Sequence, residues 1–487
     1  MVDRVSSHIA KRGLSPKRRS LGAHIMLSEV LASGARFDAS SFGIQAHKAV
    51  EALKASGVPL VPLFGDVGFC NETSDVVRFK RVYVGADRGV PFLSSSDIIS
   101  MRPEVAHYIS KKLTKRLDQH LVRKWDVLIS RSGTVGNVSL AGVTHARNAL
   151  SEDAIRLRAE TPEKAGFVSG FLRSRFGRPQ LAGASYGSVV VHIEPSHLRR
   201  LLIPQFHPLR IAEIGSSMMD ATELRDEANR LLDEADAVLH LRLGLPPLAS
   251  LRRSGHRFHK VNARELHQRF DASFHDPIAD AAIRKLNRST TEITTLSDPR
   301  VLKEIRPVTK FRKRVYVPSG GIPLYGGKQL FQVDPIDVKG LAKGAHTKDL
   351  PEIALKKNMV LVTCSGTVGR VQIIPAYMEG WTANQHATRF IAADDISPGY
   401  IYAWLASDYG SKLIKRNAYG SVILEIDKEM FGSVPIPLPD GSVISEIGDL
   451  VMKANDCRDQ AWRKEREAIS QIERQIVGSG GRVEAVS

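Results

Sequence analysis

The five letters SGTVG occur at Ser132–Gly136 and again at Ser365–Gly369, a displacement of 233 residues. Other matches keep that displacement. RFDAS at Arg36–Ser40 returns at Arg269–Ser273, KRVYV at Lys80–Val84 returns at Lys313–Val317, and YGSV at Tyr186–Val189 returns at Tyr419–Val422. Ile203-Pro204 and Glu213-Ile214-Gly215 return as Ile436-Pro437 and Glu446-Ile447-Gly448. A fixed period held over most of a chain means one structural unit written twice. One undivided core is excluded, and 487 residues leave room for a substantial core in each half.

Each unit opens with strand-like pieces. Phe79 to Val84 is basic, aromatic and β-branched, which suits a strand. Val127-Leu128-Ile129, then SRSGTVG, then Val138 and Leu140 read as strand, glycine-containing turn, strand, and Val360 to Ile373 reads the same way. A helix is expected from Gly166 and again from Gly399. Each unit closes in a long helix. From Ile211, small or apolar residues fall at Ile214, Met218, Ala221, Leu224, Ala228, Leu231, Ala235 and Val238, steps of three and four that mark one face. The second copy keeps the seam through Ile444, Ile447, Val451, Ala454, Cys457 and Ala461, then shows polar Lys464 and Gln471. A helix over 210–242 spans about 50 Å at 1.5 Å per residue. Two such helices are expected to pack together as a strut that holds the globules apart. Leu245-Pro246-Pro247 through Gly255-His256 reads as a linker.

Charge narrows the partner. With 69 Lys+Arg against 52 Asp+Glu, the net charge of +17 suits a polyanion, with nucleic acid ahead of an anionic membrane. No run of 18 apolar residues can span a bilayer, and the first 30 residues lack the apolar core of a secretory signal, so a soluble, cytoplasmic protein without a membrane partner is expected. Cys70, Cys364 and Cys457 make neither a metal-binding pair nor a disulfide framework and are read as packing residues.

Catalytic signatures fail on inspection. GGIPLYGGKQ at Gly320–Gln329 has its leading glycine one place too early for a P-loop, and Gln329 stands where a hydroxyl would hold magnesium. There is no HExxH, no GxSxG and no cofactor-cradling GxGxxG after a strand. Glu152 and Asp153 become Gln385 and His386 in the second copy, so they are no repeated catalytic pair. Asp38 and Asp271 within RFDAS are read as salt-bridged or capping carboxylates.

The better candidates are nucleic-acid contacts. Lys80, Arg81 and Tyr83, and Arg312, Lys313, Arg314 and Tyr316, combine phosphate-seeking charge with aromatic surface. Ser95, Lys111, Lys112 and Lys115 lie where the copies diverge and sequence preference can be encoded. Lys328 and Gln329 suit guanine and adenine edges. Arg131, Ser132 and Thr134, with Ser365 and Thr367, belong to the SGTVG turns, whose hydroxyls and amides can meet phosphate.

The paired LISRSGTVGNV (Leu128–Val138) and LVTCSGTVGR (Leu361–Arg370), the YGSV-to-Ile-Pro segments and the closing helices, duplicated and in this order, resemble the specificity subunit of type I restriction-modification systems. The resemblance implies an α+β fold with a pseudo-twofold internal repeat. Two similar mixed α/β target-recognition domains alternate with two long helices packed as an antiparallel coiled coil. On this chain it places domains at 27–205 and 264–438 and spacer helices at 206–244 and 439–477; the basic tail at 1–26 lies outside the resemblance, and composition gives the linker at 245–263 and a flexible tail at 478–487. It further implies a non-catalytic, cytoplasmic subunit of a bacterium or archaeon that reads a split site in double-stranded DNA. The subunit would scaffold two methyltransferase subunits and, through them, restriction subunits. No cofactor belongs to this chain; S-adenosylmethionine is expected on the methyltransferase subunits. The alternatives are a stand-alone DNA-binding regulator, and a methyltransferase or nuclease with an unrecognised site.

Overall fold

The computed structural model describes residues 44–74, 79–132, 135–185, 191–199, 201–251, 260–266, 269–308 and 314–479. The basic tail, Asp38, the first YGSV, Thr134, Arg312 and Lys313 lie outside the described residues, as does 480–487.

The first module contains β1 (Cys70–Ser74), β2 (Tyr83–Val84), β3 (Gly89–Leu93), β4 (His107–Ser110), β5 (Val127–Ser130), β6 (Val138–Leu140), β7 (Ala149–Leu150) and β8 (Ala154–Ala159). They form two four-stranded sheets, ordered β1-β8-β5-β6 and β2-β4-β3-β7, in which only β3 and β7 run parallel. The second module has β9 (Leu302–Arg306), β10 (Tyr316–Val317), β11 (Ile322–Tyr325), β12 (Lys339–Leu341), β13 (Val360–Thr363), β14 (Val371–Ile373), β15 (Thr382–Ala383) and β16 (Ala387–Ala392). Their sheets are ordered β9-β16-β13-β14 and β10-β12-β11-β15, with only β11 and β15 parallel. Register repeats as well: Val127 pairs with Leu157, and Val360 with Phe390. The expected strand–turn–strand is present in both copies. The strand expected over 79–84 is only Tyr83–Val84, because Phe79 turns its ring onto His120 at 4.1 Å instead of alternating along a pleat.

A fully buried arginine fastens the sheets in each module. Arg389 on β16 donates to the carbonyls of Ile353 (3.0 Å) and Ala383 on β15 (2.7 Å), and Arg156 on β8 donates to Leu121 (2.5 Å). Burial pushes both guanidiniums down to about 10.

Helices α1 (Pro162–Arg173) and α3 (Pro398–Ala406) begin a few residues before or at the expected glycines, with proline in the first turn. Thr161 caps the first by accepting from the Lys164 amide, and Ser397 caps the second by accepting from that of Gly399. Each then crosses a long helix, α2 (Pro208–Arg242) or α4 (Gly441–Ser479). The crossings need glycine. A Cβ on Gly166 would lie 2.3 Å from the Gly215 carbonyl oxygen, and one on Gly399 would lie 2.3 Å from that of Gly448. This close approach explains why Glu-Ile-Gly recurs.

The long helices lie antiparallel, joined by Arg242–Glu446 (2.8 Å), Arg225–Glu465 (2.7 Å) and Lys464–Asp220 (3.0 Å). Their role differs from a strut between separate globules. Ile211, Ile214 and Met218 of α2 join Ala468, Ile469, Ile472 and Ile476 of α4 in the first module's core, beside Phe167 and Phe171. Leu231, Leu232, Ala235 and Leu239 of α2 join Ile444, Ile447 and Val451 of α4 in the second, beside Trp404. Each module is completed by one end of each helix. The modules also touch: the Met101 amide donates to the Phe331 carbonyl (2.8 Å) and that of Val333 to Ile99 (2.9 Å). The linker's start is packed too, since Leu248 is buried and its amide donates to Asp408 at 2.7 Å. Late in α4 the seam leaves the expected Lys464, which stays exposed, and turns onto Glu465.

Glu465 is turned inward by charge. It is 1% exposed and accepts from Arg173 of α1 (Nη2, 2.8 Å) and Arg225 of α2 (Nη1, 2.7 Å). Arg173 also reaches Asp334 of the second module (3.0 Å), which Arg178 and Arg466 engage from other sides. Burial alone would raise the Glu465 carboxyl; the two guanidiniums overcome it and hold it low. One cluster thereby links both modules and both long helices.

Glu465→Leu should destabilise the chain by about 3–5 kcal/mol, because it leaves buried arginines without a counter-charge, whereas adding Arg173→Met and Arg225→Met should recover most of the loss; urea titration measures both. A second prediction concerns His240, in the last turn of α2, whose ring lies 3.2 Å from Asp408. That hydrogen bond pushes the imidazole up to about 9. Because the folded value lies above the unfolded one, near 6.5, the stabilisation is complete below that pH and is lost as pH rises through 9. The melting midpoint of the wild type should therefore fall toward that of His240→Gln between pH 7 and 10; parallel curves would refute it.

Candidate nucleic-acid interface

The loop after β5 is a turn, as expected. The Gly136 amide donates to the Ser130 carbonyl (3.2 Å) and that of Asn137 to the Ser130 hydroxyl (3.0 Å). In the second copy Gly369 donates to the Thr363 carbonyl (3.0 Å) and Arg370 to the Thr363 hydroxyl (2.9 Å). Gly136 and Gly369 sit at φ of +86° and +87°, a region that disfavours any residue with a Cβ.

Around this turn the fold gathers matched residues. In the first module the Ser132 hydroxyl donates to Asp153 (2.7 Å) and Arg81 pairs with Glu152 (2.5 Å). In the second, Ser365 hydrogen-bonds His386 and Arg314 donates to Gln385. The second YGSV loop leans on the turn, with the Gly366 amide donating to the Leu424 carbonyl at 2.9 Å. Thr367 is exposed beside it, and Val422 is 94% exposed. Positions 152, 153, 385 and 386, set aside above as catalysts, are the pivots of the two clusters. Their signal was the mismatch itself, two carboxylates against an amide and an imidazole.

A basic surface adjoins the first cluster. The Ser110 amide donates to Val82 and that of Lys111 to Arg88, which brings exposed Lys111, Lys112 and Lys115 beside exposed Lys80. Tyr83 is 50% exposed, with its ring 4.7 Å from that of His107. In the second module Tyr316 is 40% exposed under the Lys339 ammonium, 5.1 Å from the ring centroid. Lys339 and Lys348, both exposed, were missed by sequence reasoning although Lys348 lies 233 residues after Lys115.

Other candidates are held inward. Arg131 pairs with Glu194 (2.6 Å) and reaches the Glu152 carbonyl (3.2 Å). Ser95 is half-buried in a turn closed by Ser94 and Asp97 (2.6 Å). The Gln329 amide accepts from Gly326 (2.9 Å) and donates to the carbonyls of Ile336 and Asp337 (each 3.3 Å), which makes it a loop brace, while neighbouring Lys328 is exposed. Asp271 forms the expected salt bridge, two-pronged to Arg269 at 2.6 and 2.8 Å. Cys70 is buried, and burial pushes its thiol up to about 12. Among the described residues no group of three His, Cys, Asp or Glu could hold a metal, and no helix is long and apolar enough to cross a membrane.

Residues 302–451, which hold the second module's two four-stranded sheets and the first turns of α4, match the family described as the type I restriction modification DNA specificity domain. That match falls within the second module. The first module repeats its strand order and pairing. No curated protein matches the chain. Among solved structures it is similar to a type I restriction-modification S subunit from M. genitalium, with 14% identity over 87% of this chain and 100% of that one and a TM-score of 0.29. It is similar to an HsdS subunit from Thermoanaerobacter tengcongensis, with 16% identity over 87% and 97% and a TM-score of 0.27. A third, from a study of type I R-M complex assembly, has 15% identity over 87% and 98% and a TM-score of 0.26.

Gly369→Ala in the second module should cost about 1–2 kcal/mol, since its Cβ would meet Ile414 at 3.3 Å in a left-handed backbone. Gly344→Ala, with open space around it, should be near neutral by the same thermal denaturation.

Proposed function

We propose that this chain is the non-catalytic specificity subunit of a type I restriction-modification system. Its two modules, over 27–205 and 264–438, each read one half of an interrupted double-stranded DNA site. The observation that carries this reading is the pair of matched clusters. One scaffold presents Arg81, Ser132, Glu152 and Asp153 in the first module and Arg314, Ser365, Gln385 and His386 in the second. Equal positioning with unequal hydrogen-bonding groups is what an asymmetric site requires. Carboxylates accept from the cytosine amino group, whereas an amide and an imidazole offer donors and acceptors to purine edges. Exposed Lys80, Lys111, Lys112, Lys115, Lys328, Lys339 and Lys348 supply phosphate contacts. Arg312, Lys313, Thr134 and Thr367 are assigned to the backbone by their place in the repeat.

In this reading α2 and α4 act as a coiled-coil ruler about a pseudo-twofold axis and fix the length of the unread spacer. Their outer faces dock two cytoplasmic methyltransferase subunits, which carry S-adenosylmethionine, and these recruit restriction subunits. The direct test is to co-express the chain with its methyltransferase subunits and map the methylated positions. Glu152→Gln with Asp153→His should change the bases accepted in one half-site and leave the other intact. Methylation by the chain alone would sink the reading, as would loss of both half-sites in a folded variant. Tight specific binding without partners would point instead to a stand-alone regulator.

A further inference from the structure

The buried ion cluster lies on one side of the molecule only. Its members are Arg173, Arg178, Arg225, Asp334, Glu465 and Arg466, and the 233-residue displacement names their counterparts as Ala406, Ser411, Arg458, Met101, Leu232 and Asp233. Only Arg225 keeps its residue type, as Arg458. Arg225 meets Glu465 through two hydrogen bonds, whereas Arg458 faces the place where Leu232 substitutes for that carboxylate.

The consequence is visible in the packing. Arg458 is 5% exposed, forms no ion pair with any described residue, and makes one long hydrogen bond, from Nη1 to the neutral Gln372 amide at 3.5 Å. Its Nε has no partner. Met101, Leu232, Ala406 and Arg458 together line a cavity of about 370 Å³. On the other side, the space bordered by Arg225 and Glu465 is about 20 Å³, and a more open one of about 420 Å³ is bordered by Arg173, Arg178 and Arg466 but not by Arg225. The carboxylates elsewhere on the wall of the Arg458 cavity are engaged: Asp408 and Asp236 with His240 at 3.2 and 4.0 Å, and Glu104 with Arg370 at 3.7 Å. A buried guanidinium without a counter-charge is strongly unfavourable, and here the residues that would supply the charge are replaced by smaller or apolar ones.

We propose that this cavity binds a small anion of the carboxylate or phosphate type, whose charge replaces the missing Glu465 equivalent at Arg458. The cavity is walled by both modules and both long helices, so the anion fastens the same four parts that Glu465 fastens opposite. The site makes no use of the proposed DNA-reading surface, and its test needs no DNA.

The experiment is isothermal titration and thermal denaturation of the full chain with inorganic phosphate and, separately, citrate, at matched ionic strength in chloride. Expected is saturable binding at one site, with the melting midpoint rising by about 1–2 °C for each tenfold increase beyond half-saturation. Binding of phosphate alone or citrate alone supports the site and identifies the anion's chemistry. Leu232→Glu supplies the carboxylate internally; it should melt above the wild type without added anion and lose the titration. Arg458→Met removes the charge and should lose it as well, and it keeps the proposal falsifiable should the glutamate variant fold poorly. Absence of saturable binding to the wild type, or binding retained in Arg458→Met, would overturn the proposal.

Discussion

The structure depends most on Glu465. Burying a carboxylate is tolerable only where cations and hydrogen bonds replace its hydration, and two arginines from different elements do so here. Because Arg173 comes from the first module and engages Asp334 of the second, the charges are compensated only when both modules and both long helices are in place. Apolar burial gives the helix pair its adhesion but is non-directional. The ion cluster supplies what burial lacks, a single register for four elements that the repeated sequence could otherwise combine in more than one way.

That constraint also explains why two globules joined by struts is too simple a description. A helix of 35 residues with one apolar stripe can serve as a spacer or as the wall of a core, and the stripe alone does not distinguish these uses. Here each stripe is divided between the two cores. Leu224 and Val238, read from the sequence as seam, are half-buried, whereas Leu232 and Leu239 are fully covered, because the helix faces different neighbours along its length.

Local patterns were legible wherever the cause is local. The strand–turn–strand around SGTVG was readable because glycine at positive φ and flanking β-branched residues carry their own geometry. The recurrence of Glu-Ile-Gly was visible but its reason was not, since the close approach of Gly166 to Gly215 is a contact between elements far apart in sequence. The site was half legible for the same reason. Arg81, Ser132, Arg314 and Ser365 were singled out by residue type, whereas the partners that the fold gives them, and gives Arg131 and Gln329, were not visible. Residue type reports what a side chain can do, and only the fold reports what it is already doing.

Duplication makes divergence readable as design. Two copies of one scaffold hold the backbone equal, so the positions where they differ reveal where different chemistry is tolerated or needed. At the surface the difference falls on Glu152 and Asp153 against Gln385 and His386, and the turn that presents them keeps its hydrogen bonds in both copies. In the interior it falls on Glu465 against Leu232, where the cost is of another kind. A half-buried exchange of carboxylate for amide is tolerated, because each group finds a partner, Arg81 for Glu152 and Arg314 for Gln385. A buried exchange of carboxylate for leucine leaves the opposing arginine uncompensated. The retention of Arg458 across that exchange therefore requires a compensating charge from outside the chain, or else an arginine would stand buried where a methionine would stabilise the fold.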